Sequence, residues 1–159
     1  MVKISCDSAV KSNGSAYCAA VMRDGSGKLI DGHFIRDRVS SPLQAELAAI
    51  RLACSMISTL KLSNVSIESD CQTAIKLCIS ELVPPWDVQA RVLDIIDLCR
   101  ELRISCKRIR RDSNSLAHTV AAKASLNSAP FNWVACPPPL FCMIYYQGRV
   151  FLTCNCFVM

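Results

Sequence analysis

The sequence lacks a charged leader followed by an apolar stretch. Its opening, "MVKISCDSAV", alternates as a strand does, so no secretory signal is expected. No apolar run reaches bilayer-spanning length: "LFCMIYY" and "VFLTCNCFVM" near the end are interrupted by Gln147, Gly148 and Arg149, and no membrane span is expected. No internal repeat is present. Acidic residues are in deficit, 13 against 18 lysines and arginines, which leaves a net charge of +5 and a pI near 8.7. That balance permits a polyanionic partner without demanding one.

Cysteine is the residue in excess, with 11 in the chain. The count is odd, and Cys6, Cys18, Cys54, Cys78, Cys99 and Cys106 sit inside apolar runs, where a free thiol acts as a small core residue. A disulfide framework is therefore not expected, and a reducing intracellular compartment, cytoplasm or nucleus, is. Without export, the glycosylation-type triplets at Asn13 and Asn64 are coincidental. Cys154 and Cys156 form a C-x-C pair with no further ligands at zinc spacing, so no metal is expected there.

A length of 159 residues suits one domain with a sizeable core. We place that domain at 1–128. Residues 129–159, which contain Pro137-Pro138-Pro139 and the apolar end, form an extension that either packs on the domain or is poorly ordered.

"VKISCD" puts Val2, Ile4 and Cys6 on one face and Lys3, Ser5 and Asp7 on the other, the pattern of a half-buried strand. "AYCAAVMRD" and "KLIDGHFI" follow after the turn signals "KSNGS" and "GSG", which predicts an antiparallel meander. "SSPLQAELAAIRLACSMIS" then carries a helix start signature: Ser41 as N-cap, Pro42 at the first position and Gln44 closing a capping box. Beyond it come a strand in "NVSIESD", a helix in "CQTAIKLCIS" and a second helix in "WDVQARVLDIIDLCREL", with Trp86 as a packing anchor at its start. A fifth strand in "RISCKRIR" and a last helix in "RDSNSLAHTVAAKASL" complete the order. Three meander strands followed by alternating helices and strands predict an α/β fold, a mixed five-stranded sheet flanked by helices.

Three acids stand out in this frame. Asp7 ends the first strand, Asp70 ends the fourth, and Glu46 falls at the edge of the apolar stripe Leu43, Leu47, Ile50, Cys54 and Ile57. Singly, each has an ordinary reading: Asp7 as a turn residue, Asp70 as a helix cap, and Glu46 as a partly buried acid paired to an arginine or lysine. Jointly they can converge at one end of the sheet. Converging carboxylates repel one another unless a divalent cation neutralises them, and an oxygen-rich site of this kind favours magnesium or manganese.

"ISCDSAV", "VMRDGSGKLIDG", "SPLQAELAAIRLA", "VSIESDCQTAI" and "RRDSNSLAHTVAAKA", in this order and spacing, resemble the ribonuclease H type 1 domain, in particular the reverse-transcriptase-like family of plants. The resemblance runs from about Val2 to about Leu126. It implies the RNase H-like fold and a site of four ligands for two Mg²⁺ or Mn²⁺ ions, the first three matching Asp7, Glu46 and Asp70. It also implies hydrolysis of the RNA strand of an RNA–DNA hybrid. The fourth ligand is an aspartate four residues after an asparagine in most of the family; here Asn114 is followed four residues later by His118. Relatives in the wider superfamily use histidine at that place, and a neutral imidazole suits manganese better than magnesium. The positive end of the helix dipole disfavours the imidazolium and keeps the ring available as a ligand. The alternative for His118 is a drifted or solvated position.

"CKRIRRD" alternates Lys107 and Arg111 against Arg108 and Arg110, with Arg111 and Asn114 as candidate nucleic-acid contacts. The expected function is a metal-dependent, monomeric nuclease acting on RNA–DNA hybrids, with Asp7, Glu46, Asp70 and His118 as catalytic metal ligands. Two readings compete with it: a nucleic-acid-binding module that has lost turnover through His118, and a protein-interaction domain, which only the apolar end favours.

Overall fold

The alternation that opens the chain produces its central strand. The computed structural model describes residues 1–127, and in it β1 (Val2–Val10) lies in the middle of the sheet. β2 (Ser15–Arg23) pairs antiparallel with β1, and β3 (Leu29–Arg38) pairs antiparallel with β2. The first hairpin turns tightly at Gly14, whose φ of +81° suits glycine; a Cβ there would lie 3.0 Å from the Val39 carbonyl oxygen. The Asn13 side chain closes the turn by accepting from the Ser15 N–H at 3.0 Å.

α1 (Pro42–Thr59) begins where the sequence predicts, with the Ser41 hydroxyl accepting from the Gln44 N–H at 3.3 Å. The return bond is displaced by one residue: the Gln44 side-chain oxygen accepts from the N–H of Ser40, not of Ser41. Ala45, Ala49 and Ala53 are fully buried. Small side chains on this face let the helix backbone approach the sheet closely, while Leu47, Ile50 and Ile57, also fully buried, fill the space beside them. Each such aliphatic side chain contributes about 1.5–3 kcal/mol on burial.

β4 (Val65–Ser69) pairs parallel with β1, and after α2 (Gln72–Cys78) and α3 (Gln89–Glu101), β5 (Ser105–Arg108) pairs parallel with β4. The strand order is β3-β2-β1-β4-β5, the mixed five-stranded sheet expected. Ile4, Cys6, Ile67, Val92 and Ile95 belong to the core between the sheet and α1, α2 and α3. A 3₁₀ turn over Arg111–Asn114 leads into α4 (Ser115–Ser125), which lays Leu116, Ala117, Val120 and Ala121 on Ala19, Val21 and Leu29.

Helices on both faces change the reading of β1. Expected to be half-buried, it is covered on each side, so that Ser5 and Asp7 are only 1% and 7% exposed. Asp7 does not end the strand either, because pairing with β2 carries β1 on to Val10. Trp86 is not a packing anchor: α3 starts three residues later, the indole is 89% exposed, and Val88 occupies the core instead. The fifth strand stops at Arg108, so the alternation expected through Arg111 ends before Arg110. Cys6, Cys18, Cys54 and Cys78 are buried free thiols, and Cys71, Cys99 and Cys106 are half-buried ones. No helix among the described residues is long and apolar enough to cross a membrane. The extension at 129–159, with Cys154 and Cys156, lies outside the described residues.

Candidate metal centre

The parallel ladder between β1 and β4 ends on the pair Cys6 and Ser69. The next residue on each strand is an aspartate, so Asp7 and Asp70 leave the last rung side by side. Asp70 does not cap α2, whose N-cap is Cys71 without a side-chain bond. α1, packed across β1 and β2, brings Glu46 to the same place, where the Ser8 hydroxyl donates to Glu46 Oε1. One carboxylate oxygen from each of Asp7, Glu46 and Asp70 lies within 4.8 Å of the others. The three acids converge.

Their electrostatics are those of a cluster short of positive charge. Burial pushes the Asp7 carboxyl above its ordinary value, opposed by a hydrogen bond from the Ser8 N–H at 2.8 Å and by the bond to His118; the charge of Asp70 raises it further. Burial pushes Glu46 up to about 8; the Ser8 hydroxyl opposes the shift, and Asp7 and Asp70 add to it. Glu46 does not have the arginine or lysine partner of its ordinary reading: Ser8 is its hydrogen-bond donor, and Glu46 Oε2 is buried with no protein partner. Close carboxylates, raised proton affinity and an oxygen without a donor are together the environment a hard divalent cation relieves. The triad could hold such an ion.

α4 supplies the other wall. His118, in its first turns, brings Nδ1 to 2.7 Å from Asp7 Oδ2, with about half of its side chain exposed. Asn114, expected to touch nucleic acid, faces inward and is fully buried. Its Nδ2 donates to the Cys6 carbonyl at 2.8 Å and to Asp70 Oδ1 at 2.9 Å, which ties α4 to both aspartate-bearing strands. Arg111 is exposed in the 3₁₀ turn before it. Ser8 was not legible as part of the site, because it follows Asp7, where the strand was expected to end. The Asn114 contact to Cys6 spans 108 residues, and no local pattern reports it.

The family model described as reverse transcriptase-like matches residues 5–124. No curated protein sequence matches the chain. Among solved structures, RNase H1 from the halophilic archaeon Halobacterium salinarum NRC-1 is similar at 19% identity and a TM-score of 0.74, over 79% of this chain and 98% of that one. LC11-RNase H1, solved in complex with an RNA/DNA hybrid, is similar at 18% identity and a TM-score of 0.70, over 79% and 99%. The N-terminal RNase H domain of rv2228c from Mycobacterium tuberculosis matches at 18% identity and a TM-score of 0.70, over 81% and 98%. At these identities the structures report the fold they share with this chain.

Proposed function

The chain belongs to the reverse transcriptase-like family of RNase H-type domains, and from that membership and the acidic pocket we propose that it is a metal-dependent endonuclease hydrolysing the RNA strand of RNA–DNA hybrids. The observation that carries the reading is the approach of Asp7, Glu46 and Asp70 to within 4.8 Å at the end of the parallel ladder. Asp7 and Asp70 would hold the ions, Glu46 would orient an ion or the attacking water, and His118 would complete the set with a nitrogen donor. Mg²⁺ or Mn²⁺ held there would stabilise the attacking and the leaving oxygen of the phosphodiester. Ser8 keeps Glu46 turned toward the pocket, Asn114 fixes Asp70, and exposed Arg111 is available to a phosphate. We place the protein in a reducing setting, cytoplasm or nucleus, and expect the active form to be a monomer.

The test is cleavage of an end-labelled hybrid by the full chain with magnesium or manganese. Asp70→Asn should reduce the cut by about 100-fold or more while leaving the fold intact. Cleavage that survives in this variant sinks the assignment.

One observation favours a second reading, a hybrid-binding module of weakened turnover. His118 Nδ1 lies 2.7 Å from Asp7 Oδ2 and so competes with a cation for the Asp7 carboxylate. That module would bind hybrid with a steep salt dependence and give no product with either metal.

A further inference from the structure

On the side of the sheet away from α4, Cys99 near the end of α3 and Cys106 in β5 bring their sulfur atoms to 3.6 Å. Both are half-buried, whereas Cys54 and Cys78 nearby are buried. The geometry is fixed by backbone. The Ile104 N–H donates to the Cys99 carbonyl at 2.9 Å, Arg103 takes a left-handed φ of 53°, and Cys106 is held in register with Ile67 of β4. Hydrogen bonds from Cys106 and Cys54 draw the Cys99 thiol below its ordinary value, which favours the nucleophilic thiolate there.

We propose that Cys99 and Cys106 form a dithiol modification site, oxidised by hydrogen peroxide to a reversible disulfide that ties α3 to β5. The Cys99 thiolate attacks one peroxide oxygen and the O–O bond breaks; the displaced hydroxide takes up a proton as water, leaving sulfenic acid on Cys99. The Cys106 sulfur then attacks the Cys99 sulfur and the S–O bond breaks, the hydroxyl leaving as water with the Cys106 proton. Two thiols and one peroxide give one disulfide and two waters, the two electrons passing from sulfur to peroxide oxygen. A bonded separation of about 2.05 Å requires the two sulfur atoms to move in from 3.6 Å. In a reducing compartment the pair rests as thiols and the bridge forms under peroxide load.

The experiment uses the reduced full chain, exposed to increasing hydrogen peroxide, alkylated, and digested with trypsin without reductant. Mass spectrometry should find the 92–100 peptide, which carries Cys99, joined to the 104–107 peptide, which carries Cys106, and dithiothreitol should separate them. The oxidised chain should melt about 5 °C above the reduced one. Cys99→Ser and Cys106→Ser should each remove both the joined peptide and the shift, and should either variant fail to fold, the wild-type peptide map decides alone. The proposal is overturned if Cys99 and Cys106 stay alkylatable at peroxide levels that oxidise Cys71. It is equally overturned if Cys99 is found joined to the 52–61 peptide, which carries Cys54.

Discussion

Asn114 donates its side-chain amide to the Asp70 carboxylate at 2.9 Å, across 44 residues of chain, from a position with no solvent exposure. The same nitrogen serves the Cys6 carbonyl, so one side chain anchors the start of α4 to the two strands that carry the aspartates. Asn114→Ala should cost about 1–3 kcal/mol in urea unfolding, because two acceptors lose their donor. Asp70 loses its orientation in the same step, and hybrid cleavage should fall by about 10–100-fold. Asn114→Asp should be worse than alanine, since it sets a carboxylate against Asp70. A variant as stable as the parent would show that the amide is dispensable.

Glu46 gives the metal-free protein a characteristic pH response. Its folded value is raised from 4.5 to about 8, so the folded state binds the proton more tightly than the unfolded chain does. The stability this contributes is complete below about 4.5 and is lost as the pH rises toward about 8, with a limiting slope near 1 kcal/mol per pH unit. Melting in EDTA across that window should therefore fall with pH. Glu46→Gln should flatten the fall, and millimolar manganese should reverse it by favouring the carboxylate. A melting temperature that rises with pH in EDTA and is indifferent to Glu46→Gln contradicts this account.

His118 stands where the resemblance implies an acid, and its exchange separates the two functional readings. His118→Asp replaces a nitrogen donor by an oxygen donor and removes the imidazole from Asp7. The ratio of cleavage with magnesium to cleavage with manganese should rise about tenfold. If the parent chain gives no product and this variant does, the binding-module reading holds for the natural sequence.

Trp86 follows Pro84 and Pro85 with its indole in solvent. Trp86→Ala should change the stability by less than about 0.5 kcal/mol, measured by urea unfolding. Val88→Ala, two residues on and in the core, should cost more.

The elements were legible in the sequence because their signals are local. Ser41, Pro42 and Gln44 mark the start of α1, and alternation marks β1. The expected convergence of Asp7, Glu46 and Asp70 rested on two acids near one end of neighbouring strands and one on the inward edge of a helix, and topology follows from element order. What escaped was set by distant neighbours. Burial of the second face of β1 depends on α4, more than a hundred residues later, so alternation alone left that face in water. Asn114 looked like a surface contact because its partners, Cys6 and Asp70, belong to other strands. Trp86 looked like an anchor because large aromatics usually are, and nothing in "PPWDV" shows that the helix waits for Gln89.

The spacing of Asp7 and Asp70 is inherited from backbone pairing, as a lattice constant is inherited from its crystal. Insertions in the 60–64 turn should leave it untouched. Removing a single residue between Val65 and Ser69 while keeping the pairing in phase would advance Cys71 into the position of Asp70, replacing a hard oxygen donor with a soft sulfur one. The pocket should therefore tolerate changes in the 60–64 turn and almost none in its rungs.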